Sequence, residues 1–349
     1  MSLEPRQHWL IYALGGGLGH VTRATGLIRS ANQAGVTCTL MVNSPLLPLV
    51  PLADELGSSN TLMALDHRLD GPAVGRCVHE LLQAIQPTRF VVDTFPRGLG
   101  GELAEVASEI RCPSVLIHRD LNPQYVQEFR LNEYVSKHFD LVLVPGEQAT
   151  LQTIVPTIET THWLIRDAQE LLSPSQARLA LLSQSSVSSA MTHSERPLVL
   201  VMATGQPHEI REMHELAEHL MAAVGDCVEL RVGSLVEPQS LFVRRCWLPT
   251  WPLLPLLPGV DLLIGAGGYN TIAEARAVGV PLIGFARQRL YDRQARRLHS
   301  DECLANVDDL VDRVRSARRR DAARSVQFVN GTHSATDAIM KLQPLATRR

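Results

Sequence analysis

The sequence predicts an α/β protein built from two doubly wound units, each a parallel sheet covered by helices. Three observations carry that reading. The chain has 349 residues, and a usual domain size of about 150 argues for two domains. Short apolar runs alternate with segments of helical period in both halves, the alternation that builds parallel sheets. Each half also carries a glycine cluster directly after an apolar strand, GGGLGH at 15–20 and GAGG at 265–268.

In order, the first half reads as strands at 9–14, 36–42, 61–65, 90–92, 114–117 and 141–144. Between the first two, Val21, Ala24, Leu27, Ile28 and Ala31 form one apolar stripe at three- and four-residue spacing, and Gly35 stops the helix. Val74, Cys77, Val78, Leu81, Leu82 and Ile85 repeat that stripe. A Ser- and Gln-rich stretch over 172–196, ending in SQSSVSSAMTHSE, separates the halves. Strands then follow at 198–203, 227–232, 262–264 and 281–285. The expected domains are 1–160 and 161–331, with a helix-period tail at 332–349. No short-period repeat indicates a solenoid.

Composition excludes several classes. With 45% hydrophobic and 20% charged residues the chain is globular, and 33 Lys and Arg against 36 Asp and Glu leave a net charge of -3. Such a balance gives no general attraction to nucleic acid. Cys38, Cys77, Cys112, Cys227, Cys246 and Cys303 are scattered without a CxxC pair, as expected of buried thiols in a reducing cytoplasm. The amino-terminal apolar run is too short and too glycine-broken for a signal peptide. Pro252, Pro255, Pro258 and Asp261 interrupt the apolar stretch at 251–264, so no transmembrane helix is expected. The run SPLLPLVPL at 44–52 is weighed first as core or loop packing, with docking on an apolar acceptor or a bilayer surface as its alternative.

Gly15, Gly16, Gly17 and Gly19 lie between a strand and a helix, where backbone N–H groups can face an anion. GxGxxG fails because His20 stands at the last glycine, and GxxxxGK[ST] is absent, which argues against nicotinamide and P-loop chemistry. His20 opens the helix, and the positive end of the helix dipole favours neutral imidazole. Asp93, in FVVDTFP, ends a separate apolar run; with parallel strands both residues emerge at the carboxyl edge of one sheet. There a carboxylate would fix the imidazole tautomer and support a general base. A capping His and a helix-starting Asp are the structural alternative. In DLLIGAGGYNTIAEARAVGVP, Thr271 and neighbouring N–H groups suit phosphate oxygens and Glu274 suits ribose hydroxyls, while Thr271-x-x-Glu274 also reads as a capping box. HRDLNPQY at 118–125 has Tyr125 where a kinase loop needs Asn, and DFG, APE and VAIK elements are missing, so it is set aside. Of two arginine-dense stretches, 313–324 reads as a solvated face and 287–297 as cations near phosphate.

Together these features resemble the GT-B glycosyltransferases, specifically the family of the lipid-linked peptidoglycan N-acetylglucosaminyltransferase and related bacterial transferases. GGGLGHVTRA at 15–24, FVVDTFPRGLGGEL at 90–103 and GAGGYNTIAEARAVGVP with Asp292 and Gln294 carry the resemblance. It implies two Rossmann-like domains facing across a cleft, with the tail returning to the first. The implied donor is a nucleotide sugar carrying uridine diphosphate. The implied donor contacts are Arg166, Gly205, Gly267, Gly268, Thr271, Glu274, Asp292 and Gln294, and Gly16, Gly17, Gly19 and Arg23 fall in an acceptor or phosphate loop. His20 with Asp93 resembles the base and orienting acid of inverting plant enzymes. Leu298 where Asn is common, MATGQPHE in place of a GGSxG-like turn, and 5% aromatic residues depart from the pattern. The expected activity is inverting, metal-independent and cofactor-free sugar transfer to an acceptor hydroxyl, the acceptor being a small molecule, glycan or lipid. The alternatives are a nucleotide-sugar hydrolase, which shares a GxGHxxR start, and a non-catalytic nucleotide-sugar-binding protein.

Overall fold

The computed structural model describes residues 7–183, 195–304, 306–321 and 323–343. They fall into two compact units, the described parts of Met1–Ile165, Leu290–Asp292 and Asn330–Arg349, and those of Arg166–Arg289 and Arg293–Val329. Residues 184–194 of the Ser- and Gln-rich stretch and the last six residues of the tail lie outside the described residues.

In the first unit, strands β1 (His8–Tyr12), β2 (Thr37–Val42), β3 (Thr61–Ala64), β4 (Arg89–Asp93), β5 (Ser114–Ile117), β6 (Leu141–Pro145) and β7 (Thr157–Thr160) make one sheet. Its order is β3-β2-β1-β4-β5-β6-β7, and every pairing is parallel. The intervening helices are α1 (Leu18–Gln33), α2 (Leu52–Leu56), α3 (Gly71–Ile85), α4 (Glu102–Val106), α5 (Pro123–Glu128) and α6 (Leu131–His138). The expected stripe of α1 is buried throughout, and Gly35 takes the positive φ, 79°, that a chain reversal after a helix needs. Val74, Val78 and Leu82 of α3 pack with Leu10, Tyr12, Phe90 and Val92 in one core. The edge strand β7 escaped the sequence reading because its Thr-Ile-Glu-Thr is mostly exposed and lacks an apolar run.

In the second unit, β8 (Leu198–Met202), β9 (Glu229–Gly233), β10 (Trp247–Leu248), β11 (Leu262–Ala266) and β12 (Leu282–Phe285) pair in parallel in the order β10-β9-β8-β11-β12. Its helices are α7 (Pro174–Ser183), α8 (Pro207–Val224), α9 (Leu241–Arg244), α10 (Tyr269–Val278) and α11 (Val307–Arg315). The proline-rich apolar stretch centres on a 3-10 helix, Leu254–Gly259, with Leu254, Leu256 and Leu257 buried. No helix among the described residues is long and apolar enough to cross a membrane. Around SPLLPLVPL, Val50 and Leu52 are buried while Leu49 stays exposed.

Strand order reverses once in each sheet, between β1 and β4 and between β8 and β11. Such reversals open a crevice at the carboxyl edge, the usual ligand position in doubly wound sheets. The two glycine clusters are not equivalent: GGGLGH follows the inner strand β1 of its unit, whereas GAGG follows β11, whose counterpart in the first sheet is β4.

The tail helix α12 (Gly331–Met340) belongs to the first unit and lies on α1. Thr336 donates to Ser30 Oγ at 2.9 Å, and Asn330 exchanges hydrogen bonds with the backbone of Leu164 at 3.1 and 3.0 Å. Gly331 must lack a side chain because a Cβ would strike the Thr161 carbonyl.

One buried acid organises the second unit. Asp261 is 5% exposed and accepts from Leu198 N at 2.7 Å, Arg178 Nη1 at 2.9 Å and Arg320 N at 2.7 Å, joining β8, α7 and the segment after α11. Replacing it strands a partly buried guanidinium and two backbone donors. Asp261→Ala should therefore cost about 3 kcal/mol, read as a lower denaturation midpoint at unchanged m-value.

Candidate active site

The first switch point brings three polar side chains, His20, Arg23 and Asp93, together. His20 sits in the first turn of α1, and Asp93 is the last residue of β4. The imidazole Nδ1 meets Asp93 Oδ2 at 2.6 Å. Arg23, one turn after His20 on the same helix face, grips that carboxylate with Nε to Oδ1 at 2.8 Å and Nη2 to Oδ2 at 2.7 Å. Both the Arg23 and Asp93 side chains are wholly buried, whereas the His20 side chain is 16% exposed.

Local backbone geometry makes this arrangement fit. Gly15 lies under the imidazole, where a Cβ would overlap the ring, and its N–H donates to Asn43 Oδ1 at 2.8 Å. After Asp93 the chain turns through Thr94, which takes φ 70° while Phe95 N–H returns to Asp93 O at 2.9 Å. This is a γ-turn centred on a β-branched residue, a strained conformation held by its surroundings. The Thr94 hydroxyl accepts from Arg23 Nη2 at 3.2 Å, and the Phe95 ring lies 5.6 Å from the imidazole, tilted 32°.

The electrostatics assign protonation states. Burial pushes the Asp93 carboxyl up, but Arg23 and His20 more than reverse this and hold it well below the usual carboxylate range. Burial lowers the His20 pKa, Asp93 raises it, and Arg23 and Arg119 lower it again, with a net downward shift. At neutral pH the ring is neutral, Nδ1–H donates to carboxylate, and Nε2 carries the lone pair. The site can therefore take a proton and stabilise the resulting imidazolium.

Arg23 corrects one expectation. Assigned to an acceptor or phosphate loop, it is 1% exposed and committed to Asp93, so a buried cation, not a ligand contact, is what the HVTR spacing encodes. Gly16, Gly17 and Gly19 do lie open: Gly16 and Gly19 are exposed, and nothing stands within 4 Å of a Cβ at Gly17 or Gly19. His118 of the kinase-like run is fully buried and bonded to Thr150 Oγ1 at 2.8 Å, and burial pushes its pKa down to about 4.

In the second unit, Gly205 follows β8, and Gly267, Gly268, Thr271 and Glu274 follow the adjacent β11. Gly268 is the N-cap of α10, with no side-chain cap and open space at its Cβ. Thr271 therefore lies inside the first turn, and the Thr271–Glu274 capping box weighed above is not formed. By contrast Gln206 and Glu209 do form a capping box on α8, and Glu209 also pairs with Arg289 at 2.7 Å. Gln294 is 5% exposed and abuts Gly267; a Cβ there would lie 3.3 Å from the Gln294 carbonyl oxygen. Leu298 packs over Gly267 and Gly284 as a core side chain. Burial raises the Glu274 carboxyl to about 8. Arg166 opens the second unit. Asp292 belongs to the first unit, bridging Leu121 and pairing with Arg119 at 3.5 Å. A place for it within the second unit is thus not what the fold gives.

Among the described residues no group of three His, Cys, Asp or Glu side chains is placed to hold a metal ion. The sequence reading missed Asn43, Thr94 and Phe95. Phe95 sat inside the quoted FVVDTFP segment, but nothing local signals a positive φ at a threonine.

No protein-family model and no curated protein matches the sequence. Solved structures match over nearly all of it. The glycotransferase of kitacinnamycin is 15% identical with a TM-score of 0.64, covering 97% of this chain and 99% of that one. UGT89C1 of Arabidopsis thaliana, complexed with UDP-L-rhamnose, is 14% identical with a TM-score of 0.58, covering 97% and 94%. The spinosyn rhamnosyltransferase SpnG, complexed with thymidine diphosphate, is 16% identical with a TM-score of 0.55, covering 95% of each chain. The likeness shows the fold, GT-B, with two Rossmann-like units.

The role of Arg23 is open to direct measurement. Arg23→Met should cost about 3–5 kcal/mol, because Asp93 stays buried with one strong partner fewer. In the same variant the His20 pKa, followed by NMR titration, should rise, since a cation that disfavours imidazolium has gone.

Proposed function

We propose that this protein is an inverting glycosyltransferase that moves a sugar from a uridine or thymidine diphosphate donor to an acceptor hydroxyl. The observation that carries the reading is the neutral His20 imidazole bonded through Nδ1 to ionised Asp93, at the strand-order reversal of a GT-B unit. Two of the structural neighbours are complexes with UDP-L-rhamnose and thymidine diphosphate, and another SpnG structure is complexed with spinosyn aglycone. The resemblance of the three sequence blocks to the lipid-linked peptidoglycan transferase family supports the same reaction class and leaves the acceptor unnamed. Free cysteines and a nucleotide-sugar donor fit a cytoplasmic enzyme.

The chemistry is a single displacement. The acceptor O–H proton passes to His20 Nε2 as the oxygen bonds to the anomeric carbon. The bond from that carbon to the diphosphate oxygen breaks, and the diphosphate leaves with the electron pair. One displacement inverts the anomeric centre. In this reading the second unit holds the donor: N–H groups at the start of α10, which has no side-chain cap, receive the diphosphate charge together with Arg166 in place of a metal. Glu274 receives the ribose, and Gln294, packed beside Gly267, is the sugar contact carried over.

The decisive experiment is a thermal-shift screen of nucleotides and nucleotide sugars, followed by product analysis with the best donor. A new glycoside of inverted configuration supports transfer; free sugar formed at turnover rate without acceptor replaces it with hydrolysis. His20→Ala should lower turnover by roughly two to four orders of magnitude with donor affinity nearly unchanged. Asp93→Asn should cost less. The acid limb of the wild-type rate profile should fall below the ordinary histidine value of 6.5, because the folded-state pKa is depressed and the base is lost as pH falls through it.

Glu274 provides a separate check. Its carboxyl is raised from 4.5 to about 8, so it stabilises the fold below 4.5 and loses that contribution as pH rises through about 8. Glu274→Gln should therefore make the free protein more stable at pH 7 and flatten its pH dependence in denaturant melts. Calorimetric titration should show UDP binding weakened by roughly 1–3 kcal/mol.

A further inference from the structure

We propose that Glu102 is a positioning residue for His20: its carboxylate holds the loop that lays Phe95 against the imidazole. The proposal rests on the reading of His20 as the base. The loop spans 94–101, between β4 and α4, and reads TFPRGLGG. Glu102 is 2% exposed, although a lone carboxylate gains nothing from burial unless donors meet it.

Three donors do meet it. Gly100 N–H donates to Oε2 at 2.7 Å, Leu99 N–H to Oε1 at 3.2 Å, and the Tyr12 hydroxyl to Oε1. Leu99 N–H also reaches the Tyr12 oxygen at 3.0 Å. Burial, reinforced by the Glu102 charge, pushes the Tyr12 phenol well up, so its hydroxyl stays a donor. Gly98 takes φ 86°, and a Cβ there would fall on the carboxylate, so the loop is wrapped directly around it.

The consequence reaches His20 from two sides. Tyr12 ends β1 three residues before Gly15, which underlies the imidazole. Phe95 begins the clamped loop: Gly98 N–H closes on Phe95 O at 2.9 Å, and the Phe95 ring lies 5.6 Å from the imidazole. One carboxylate therefore ties together the two loops between which the base sits. A helix cap alone would need no tyrosine from β1 and no glycine folded over the acid.

The test uses the full chain, with His20 observed by NMR and sugar transfer assayed in parallel. Glu102→Gln keeps the size and one acceptor oxygen. It should remove the ring-current shift of Phe95 on His20 and raise the His20 pKa toward its ordinary value, because the ring becomes less buried while Asp93, Arg23 and Arg119 still face it. Turnover should fall about ten- to a hundredfold with KM little changed, the scale expected of a misplaced catalytic group. Phe95→Leu should reproduce both effects, and the double variant should be scarcely worse than either. Tyr12→Phe should act in the same direction more weakly, and it decides the matter with Phe95→Leu if Glu102→Gln does not fold. A folded Glu102→Gln protein with wild-type His20 shifts and turnover overturns the proposal. Altered His20 shifts with unchanged turnover support the placement and overturn His20 as the base.

Discussion

A carboxylate sealed inside a parallel sheet is the constraint on which the first unit depends. Asp93 has no access to water, and an unpaired charge there would be too costly to keep. The fold meets this with a bidentate guanidinium and an imidazole from one face of α1. Because His20 and Arg23 are three residues apart on a helix, both reach the same acid only when α1 docks on β4 in one rotation. Satisfying Asp93 and orienting the imidazole are thus one geometric condition.

The charge pattern follows from the same contacts. Arg23 balances Asp93, so the imidazole is free to be neutral, and burial keeps it so. An imidazolium formed at His20 would find the Asp93 charge already in place without reorganisation. The strained turn at Thr94 belongs to this arrangement: its hydroxyl takes an Arg23 hydrogen that would otherwise need another acceptor.

The second unit handles its switch point differently. Two helices start at its carboxyl edge after neighbouring strands, and their termini are treated in opposite ways. The start of α8 is filled by the carboxylate of Glu209, itself held by Arg289. Of the two helix starts, that of α10 carries no side-chain cap, and open space surrounds the Cβ position of its Gly268.

Much of this was legible in the sequence because it is local. Apolar runs, the stripe of α1, the stop at Gly35 and the glycine turns depend on neighbours within a few residues, so period and turn chemistry revealed the α/β class and nearly every strand. His20 and Asp93 could be named because parallel strands bring successive loops to one edge. What the sequence could not carry is partnership across distance. His20 and Asp93 are 73 residues apart, and only the order β1-β4 makes them neighbours. The tertiary structure alone turned Arg23 inward, put Thr271 inside a helix instead of at its cap, gave Asp292 to the first unit and folded a loop around Glu102. Each of these is fixed by which buried polar group must find which partner, a condition set by packing in three dimensions.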